Sequence, residues 1–359
     1  MNRTHIMKTA TRRTFLKASV RLGLATIGAS YLRNGHAAEE HIYVTSSGGS
    51  FLENVRKHMA DPFEKKTGIK VTLVPGTNPA HALKILSSRG TPPYDVAAFG
   101  GNDMYRLIRA NKLVPVDEKS VPSLADVPEK FKADWEGCGS MYDYSSVGIA
   151  YRPNKIPGGV GSWREFVERT AAGEFGKQVF FNNLSSNVRG AEVLSMFAKI
   201  YGSGFEDIEA AIAALERMKP YIFKFFTAFN DPVVLLTSGE GAIGPGWDGR
   251  TFIAEDSTNG MVKWINPSEG AVSSGPVMGV VKGGKEELAK EFMNYALGEE
   301  AQKAFCEAMF YGAVNRKVQY SDQLKNRLPS IDSVQLVNTP MLIKNMSALV
   351  DLWNKRIAT

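Results

Sequence analysis

The stretches HIYVT (residues 41–45), IKVTLV (69–74) and DVAAF (95–99) are short and rich in β-branched and apolar residues. The segments between them have helical patterns, and Ser50 with Glu53 predicts a capping box at the start of the first helix. Strands that alternate with helices form βαβ units, in which helices cover both faces of a mostly parallel sheet. The sequence therefore predicts an α/β fold.

The same alternation continues through the second half of the chain. A second capping box, Ser162 with Glu165, starts one of its helices. Further strands are predicted at 147–151, 178–181, 242–247, 262–265 and 275–281, and further helices at 190–201, 205–218, 286–297, 299–309 and 341–356. No single linker divides this pattern, so we expect two α/β lobes between which the chain crosses more than once.

The charge of the chain is concentrated at its N-terminus. The 359 residues carry a formal net charge of +6, which would suit a nucleic-acid or membrane-surface partner if it belonged to the folded protein. Residues 1–38, however, hold seven basic residues and no acidic one, and the remainder has 36 basic against 37 acidic residues. We therefore expect no nucleic-acid or membrane-surface partner.

Residues 11–17 read TRRTFLK, and an apolar run and a small-residue segment follow before Glu39. This order is typical of a twin-arginine secretory signal, although a retained basic amphipathic helix has the same composition. The apolar run contains Arg21 and is too short to span a membrane. The sequence predicts a signal peptide at 1–38, export by the twin-arginine route and a soluble periplasmic protein.

Residues that carry catalysis or bind metals are scarce. The part after residue 38 has three histidines, His41, His58 and His81, and none stands at zinc-ligand spacing from a cysteine. There is no nucleophile elbow and no phosphate-binding loop, so we expect neither an enzyme nor a metal or cofactor. Cys138 and Cys306 could form a disulfide in the periplasm or remain free thiols.

Polar loops follow the predicted strands at 45–50, 99–103 and 181–189. Ligands of open α/β sheets bind beyond the carboxyl ends of strands, and glycines at helix starts leave backbone N–H groups available. Plain capping turns or solvated surface are the alternatives for all three loops. The candidate ligand-binding residues in these loops are Ser46, Ser47, Gly48, Gly101, Asn102, Asn183, Ser186 and Arg189.

Residues 239–244 read GEGAIG, which has the spacing of a dinucleotide-binding fingerprint. The fingerprint must open a helix, whereas Pro245 follows at once, so we reject it. Beyond it, a glycine-rich turn at 244–250 places Trp247 beside Asp248, which offers a stacking face next to a charge. Burial of the tryptophan in the core is the alternative.

The stretches FEKKTGIKV (63–71), SVGIAY (146–151), GWDG (246–249) and PSEG (267–270) resemble the solute-binding proteins of ABC importers. The likeness is nearest to the polyamine-binding group of the type II periplasmic binding proteins. It implies two lobes, each a mixed, mostly parallel sheet flanked by helices. It also implies a monomer that traps a small solute between the lobes and delivers it to a membrane permease, without catalysis.

The resemblance also implies an assignment of the lobes and of the site. The first lobe would comprise 40–146 and 276–314, and the second 147–275 and 315–359. Family contacts fall on Ser46, Ser47 and Trp247, and Tyr144, Asp248 and Ser274 near the crossings complete the expected set.

Two departures from the polyamine binders bear on the ligand. Arg189 stands where those proteins place an aspartate, and Ser273 or Ser274 stands where they have a tryptophan and an aspartate. A diamine would then lack counter-charges, and burying an unpaired ammonium is costly. We predict a ligand with a carboxylate, phosphonate or phosphate, held by Arg189, Arg250 and the 46–49 loop. A polyamine is the alternative, followed by ferric iron or thiamine; a secreted enzyme and a chemoreceptor adaptor are the other classes left open.

Overall fold

The computed structural model describes residues 40–184 and 189–358, with the side chain of Arg189 left out. The predicted signal peptide and Ser186 lie outside the described residues. The elements up to the middle of the chain are β1 (His41–Ser46), α1 (Ser50–Val55), a π-helical turn (Arg56–Ala60), α2 (Asp61–Thr67), β2 (Lys70–Pro75), α3 (Asn78–Ser87), β3 (Val96–Gly100), α4 (Gly101–Arg109), β4 (Ser140–Met141), β5 (Ser145–Tyr151), α5 (Trp163–Ala171) and β6 (Val179–Asn182). The remaining elements are α6 (Arg189–Tyr201), α7 (Ile208–Met218), β7 (Ile222–Phe226), α8 (Asp231–Ser238), β8 (Ile243–Trp247), α9 (Asp248–Ser257), β9 (Lys263–Ile265), β10 (Val272–Ser274), β11 (Pro276–Val280), α10 (Glu286–Ala296), α11 (Glu299–Met309), α12 (Asp322–Lys325), β12 (Gln335–Leu336) and α13 (Thr339–Arg356). Short 3-10 helices occur at Pro122–Asp126, Glu129–Phe131, Ala133–Trp135 and Lys219–Tyr221.

Two mixed sheets organise the described residues. The first has the order β2-β1-β3-β11-β4, in which β1 is parallel to β2 and β3, and β11 is antiparallel to both of its neighbours. The second has the order β12-β10-β5-β8-β6-β7, with β9 also paired to β5. In this second sheet β6 is parallel to β7 and β8, whereas β5 is antiparallel to β8 and β10.

Each sheet has its own apolar core. Phe63, Phe99 and Phe292 belong to the cluster around the first sheet, whereas Trp163 and Phe180 belong to the cluster around the second. Central strands are buried along almost their whole length because helices cover both faces, which explains their continuous apolar sequence. The predicted two-lobed α/β fold, with mixed sheets flanked by helices, is confirmed.

The chain passes between the two sheets at three places within the described residues: from β4 to β5, from β10 to β11, and from α11 to β12. Gly275 alone separates β10 from β11, and a Cβ there would lie 1.9 Å from the carbonyl oxygen of Asp143. A Cβ on Gly312 would lie 2.0 Å from the ring of Tyr144. Both glycines are therefore required by the close packing of the crossing segments.

The structure corrects two details of the predicted helix starts. Helix α1 begins at Ser50, but Gly49 is its N-cap with φ of 65°, and no side chain caps it, so the predicted Ser50 capping box is wrong. Helix α7 begins at Ile208 rather than at 205, because the Asp207 carboxylate accepts a hydrogen bond from Ala210 N and caps the helix there. At α5 the Ser162 hydroxyl does accept the bond from Glu165 N, as predicted.

Candidate functional site

The carboxyl ends of the parallel strands in both sheets lie beside the crossings. In the first sheet Gly100, at the end of β3, pairs with Pro276, the first residue of β11. In the second sheet Ser274, at the end of β10, pairs with Ser145, the first residue of β5. Since only Gly275 separates Ser274 from Pro276, the two strand ends meet at the crossing. This is where α/β folds bind ligands.

We call the residues at the ends of β1 and β3 (Thr45, Ser46 and Gly100), with the loop that follows β1, the first-lobe edge. The hydroxyl of Ser46 is buried and donates to the carbonyl oxygen of Ser47 at 3.0 Å. Before it, Thr45 Oγ1 accepts a hydrogen bond from Ala98 N at 2.8 Å. Ser47 and Gly48 are exposed. At this edge a solute can therefore contact Ser47 and Gly48. The buried hydroxyls form hydrogen bonds within the lobe.

Helix α4 begins at Gly101, within the predicted polar loop at 99–103. A Cβ on Gly101 would lie 2.6 Å from the ring of Trp135 and 3.2 Å from Thr339, the first residue of α13. The N–H of Thr339 donates to the Asp134 carboxylate at 2.9 Å, and burial raises the pKa of that carboxyl. The space beside Gly101 is therefore filled by neighbouring residues. Asn102, the next residue, is exposed.

Tyr144 lies in the crossing from β4 to β5 and is buried. Its ring stacks on Phe131 with centroids 5.5 Å apart, and its hydroxyl donates to the carbonyl oxygen of Pro329 at 3.2 Å. Burial raises the pKa of this phenol well above its ordinary range. Tyr144 thus fixes the crossing segments to one another.

Asp248 is the first residue of α9 and is fully buried. Its carboxylate accepts hydrogen bonds from Ser146 N at 2.9 Å and from Gly249 N at 2.7 Å, so it joins the start of α9 to β5. Residues 244–250 are therefore a strand followed directly by a helix, and the predicted glycine-rich turn is wrong. Nearby, Ser274 is half-buried at the end of β10.

We call Asn182, Phe226 and Trp247, the last residues of β6, β7 and β8, the second-lobe edge. Trp247 is 4% exposed, and its ring lies edge-on to Phe226 and Phe229 with centroids 6.0 and 5.0 Å away. Among the described residues, neither Trp247 Nε1 nor either amide atom of Asn182 has a hydrogen-bond partner. Sequence reasoning missed Asn182, because it ended the strand one residue early and assigned this amide to the loop.

Other predicted residues surround the second-lobe edge. The half-buried Asn183 donates its backbone N–H to Phe226 O at 2.8 Å. Helix α6 begins at Arg189, as the sequence indicated, and Glu192 in its first turn is buried. The guanidinium of Arg250 lies 6.0 Å from the ring centroid of Phe229. The Arg250 cation thus lies over the exposed Phe229, next to the second-lobe edge.

Metal and thiol chemistry have few candidates in the part of the chain that the structure describes. No group of three or more His, Cys, Asp or Glu residues there could hold a metal ion. Cys138 and Cys306 are free thiols, and burial raises the pKa of Cys306 well above its ordinary value. Of the described helices, none combines the length and the apolar character of a membrane span.

A model of the family described as bacterial extracellular solute-binding protein matches residues 58–329. The chain belongs to this family. It is the substrate-binding component of an ABC transporter, and such proteins bind small solutes and interact with membrane permease subunits. Its relatives are solute-binding proteins and not enzymes.

Three proteins are similar to this chain in sequence or in structure. The crystal structure of an extracellular solute-binding protein from Bordetella parapertussis is 89% identical with a TM-score of 0.87, covering 89% of this chain and 99% of that one. The γ-aminobutyric acid-binding protein of Pseudomonas aeruginosa is 23% identical over 303 residues, 82% of each chain. The apo ferric ion-binding protein A of Pasteurella haemolytica is 17% identical with a TM-score of 0.71, covering 88% of this chain and 97% of that one.

Proposed function

We propose that this solute-binding protein captures a small organic acid, a carboxylate or a phosphonate or phosphate, between its two lobes and delivers it to an ABC permease. The observation that carries the proposal is the state of Asp248. A diamine site at this position needs a carboxylate for the ammonium, but the Asp248 carboxylate is fully buried and accepts two backbone N–H bonds. The neighbouring polar atoms of Asn182 and Trp247 are uncharged, which favours a ligand that brings acceptor oxygens.

The similarity to a γ-aminobutyric acid-binding protein supports this ligand class, because that ligand has a carboxylate. Arg250, over Phe229, adds positive charge beside the second-lobe edge. The proposed contact residues are Asn182 and the members of the predicted set that are not taken up by packing: Ser47, Gly48, Asn102, Asn183, Ser186, Arg189, Trp247 and Ser274. Of the other predicted residues, Gly101, Tyr144 and Asp248 hold the crossing segments together, and the Ser46 hydroxyl bonds within its lobe.

The lobes and the export route are part of the same proposal. We place the first lobe at 40–146 and 276–314 and the second at 147–275 and 315–359. The two apolar cores support this division except at 315–334, where Val318 and Val334 belong to the first core. Residues 1–38 would direct export by the twin-arginine route to the periplasm. Replacement of both Arg12 and Arg13 by lysine should leave the protein in the cytoplasmic fraction; periplasmic accumulation of that variant would contradict the route.

A matched set of four-carbon solutes tests the ligand class. Putrescine has two ammonium groups, 4-aminobutyrate has one ammonium and one carboxylate, and succinate has two carboxylates; 3-aminopropylphosphonate replaces the carboxylate by a phosphonate. A ligand at 100 times its Kd stabilises the folded state by about 2.7 kcal/mol, which a thermal shift detects. We expect at least one acid to raise the melting temperature of the mature protein, whereas putrescine leaves it unchanged.

A polyamine is the second candidate, because the sequence resembles the polyamine-binding group. Putrescine as the sole active solute would establish it and overturn the acid. Ferric ion and thiamine complete the screen, since one structural neighbour is a ferric ion-binding protein. Within the described residues no cluster of metal-binding side chains favours iron.

A further inference from the structure

We propose that Asn182 and Trp247 form a neutral recognition site for an acid that also carries an O–H or N–H donor, that is, an amino or hydroxy acid. The inference rests on the proposed function and narrows its ligand class. In this site the indole N–H of Trp247 and the amide N–H of Asn182 donate to the acid group. The amide oxygen of Asn182 accepts from the donor of the same ligand.

The register of the second sheet places these residues at the ends of neighbouring strands. Strands β6 and β8 are parallel neighbours, paired at Val179 and Ile243. Asn182 pairs with Phe226 at the end of β7, and the ring of Phe226 contacts that of Trp247. Three adjacent strands thus end beside one another, and the ring of the half-exposed Phe229 lies against Trp247.

The hydrogen bonding of Trp247 differs from that of three other tryptophans. The indole N–H groups of Trp135, Trp163 and Trp264 donate to backbone carbonyl oxygens at 3.0, 3.1 and 2.9 Å. Trp247 is buried, as Trp135 and Trp163 are, but its Nε1 and both polar atoms of the fully buried Asn182 have no partner among the described residues. Buried polar groups in folded proteins are almost always paired, so three unpaired atoms at the ends of two neighbouring strands indicate a partner supplied by a ligand.

The absence of formal charge on Asn182, Phe226 and Trp247 selects the ligand class. An amide and an indole provide N–H donors for an anionic oxygen, and the amide oxygen accepts one further proton donor. A diamine would bring two positive charges to a cluster that cannot neutralise them, and its desolvation would be unfavourable. A zwitterion or a hydroxy acid supplies both the acceptor and the donor, and an amino acid has no net charge.

Two substitutions separate ligand recognition from structural support. Trp247→Phe removes the N–H while keeping an aromatic ring, and Asn182→Leu replaces the amide by an apolar side chain. The matched controls are Trp163→Phe, whose N–H bonds to Gly270 O at 3.1 Å, and Asn315→Leu, whose amide bonds to Leu297 O at 2.8 Å and to Lys317 N at 2.9 Å. The Kd for 4-aminobutyrate and for succinate is measured by calorimetry, and the melting temperature without ligand by a thermal shift.

We expect each site variant to raise the Kd for 4-aminobutyrate about tenfold or more, which one charge-assisted hydrogen bond accounts for. Without ligand, Asn182→Leu should melt at the wild-type temperature or above it, because unpaired buried atoms have been removed. Trp247→Phe should lose less stability than Trp163→Phe, because both exchanges leave a cavity but only Trp163 also loses a hydrogen bond. For the control variants we expect a larger fall in melting temperature. Their Kd for 4-aminobutyrate should stay within about twofold of wild type. The wild-type protein should bind 4-aminobutyrate more tightly than succinate, because succinate has no donor for the Asn182 oxygen.

The other outcomes are distinguishable. A wild-type protein that binds neither of these acids nor 3-aminopropylphosphonate overturns the proposed ligand class, and this inference with it. Binding of 4-aminobutyrate that is unchanged in Trp247→Phe and Asn182→Leu overturns the inference alone. A fall in melting temperature of these variants as large as in their controls would also overturn it, since the atoms would then already have partners.

Discussion

The two strand edges that meet at the crossing use their polar atoms differently. At the first-lobe edge, Thr45 and Ser46 are buried, and their hydroxyls bond to Ala98 and Ser47 in the same lobe. At the second-lobe edge, Asn182 and Trp247 are equally buried, but their polar side-chain atoms have no partner among the described residues. At the first-lobe edge, the buried hydroxyls before the glycine- and serine-rich loop are therefore already hydrogen-bonded. The unpaired donors and acceptors lie at the second-lobe edge.

This difference shows that polar composition is a poor measure of binding capacity. A hydroxyl that already bonds to its own backbone gains little from a ligand, whereas an unpaired buried donor gains a full hydrogen bond. The predictions below test this contrast by changing the junction first, then a paired group on each edge, and finally a buried histidine near the first-lobe edge.

The largest effect is expected from Gly275→Ala, at the junction of the two edges. The new Cβ would lie 1.9 Å from the carbonyl oxygen of Asp143, so the crossing segments must separate. We expect a loss of about 3 kcal/mol or more in the free energy of unfolding, measured by urea denaturation. Gly48→Ala is the control, because its Cβ meets nothing within 4 Å, and it should stay within about 0.5 kcal/mol of wild type. Equal stability of the two variants would contradict the close packing.

A smaller effect is expected from Asp248→Ala, which removes a paired group of the second lobe. The backbone N–H groups of Ser146 and Gly249 lose their acceptor, and we expect a loss of about 2–3 kcal/mol in the free energy of unfolding. Asp256→Ala in the same helix is the control. Asp256 forms an exposed ion pair with Arg327, and its loss should cost less than about 1 kcal/mol. A larger loss in Asp256→Ala than in Asp248→Ala would refute the structural role of the buried carboxylate.

At the first-lobe edge, Thr45→Val should reduce stability without changing binding. The buried N–H of Ala98 loses its acceptor, so we expect a cost of about 1–2 kcal/mol in the free energy of unfolding. The Kd for an acid ligand should stay within about twofold of wild type. This is the opposite of the behaviour expected for Asn182→Leu. A raised Kd with unchanged stability would show that the first-lobe edge takes part in ligand recognition. The proposed difference between the two edges would then be wrong.

The smallest effect concerns pH and His81, which is 3% exposed behind the first-lobe edge. Burial lowers its pKa, with a further contribution from Lys84, while a backbone hydrogen bond to Ser46 opposes the shift. The unfolded chain, with a pKa near 6.5, then binds the proton more readily than the folded protein. The stability is complete above pH 6.5 and decreases as the pH falls towards the folded pKa. We expect the melting temperature of His81→Gln to fall less between pH 7.5 and pH 5 than that of wild type; parallel curves would contradict this.

The regular elements of the fold were largely predictable. Helix α11 spans Glu299–Met309, as its sequence pattern predicts, because an amphipathic helix places its signal in residues three and four apart. Strand β7 (Ile222–Phe226) had no predicted counterpart. It lies at the end of the sheet order and is only partly buried, so its sequence lacks the continuous apolar run of a central strand.

The candidate site was predictable in its location but not in its chemistry. The rule that ligands bind beyond strand ends led to Trp247 and to the loop containing Asn183, both near the crossing. The predicted strand 178–181, however, stopped one residue before Asn182. The structure extends β6 to that residue and buries its amide, which changes a solvated loop residue into an unpaired core residue.

The sequence by itself determined the alternation of strands and helices, because this alternation depends on residues within a few positions of one another. Tertiary structure alone decided which polar atoms are paired. Asp248 bonds to Ser146, 102 positions away, and Thr45 bonds to Ala98, 53 positions away. Such partners meet only when distant strands come together in the sheets, so no local pattern distinguishes the paired Asp248 from the unpaired Asn182.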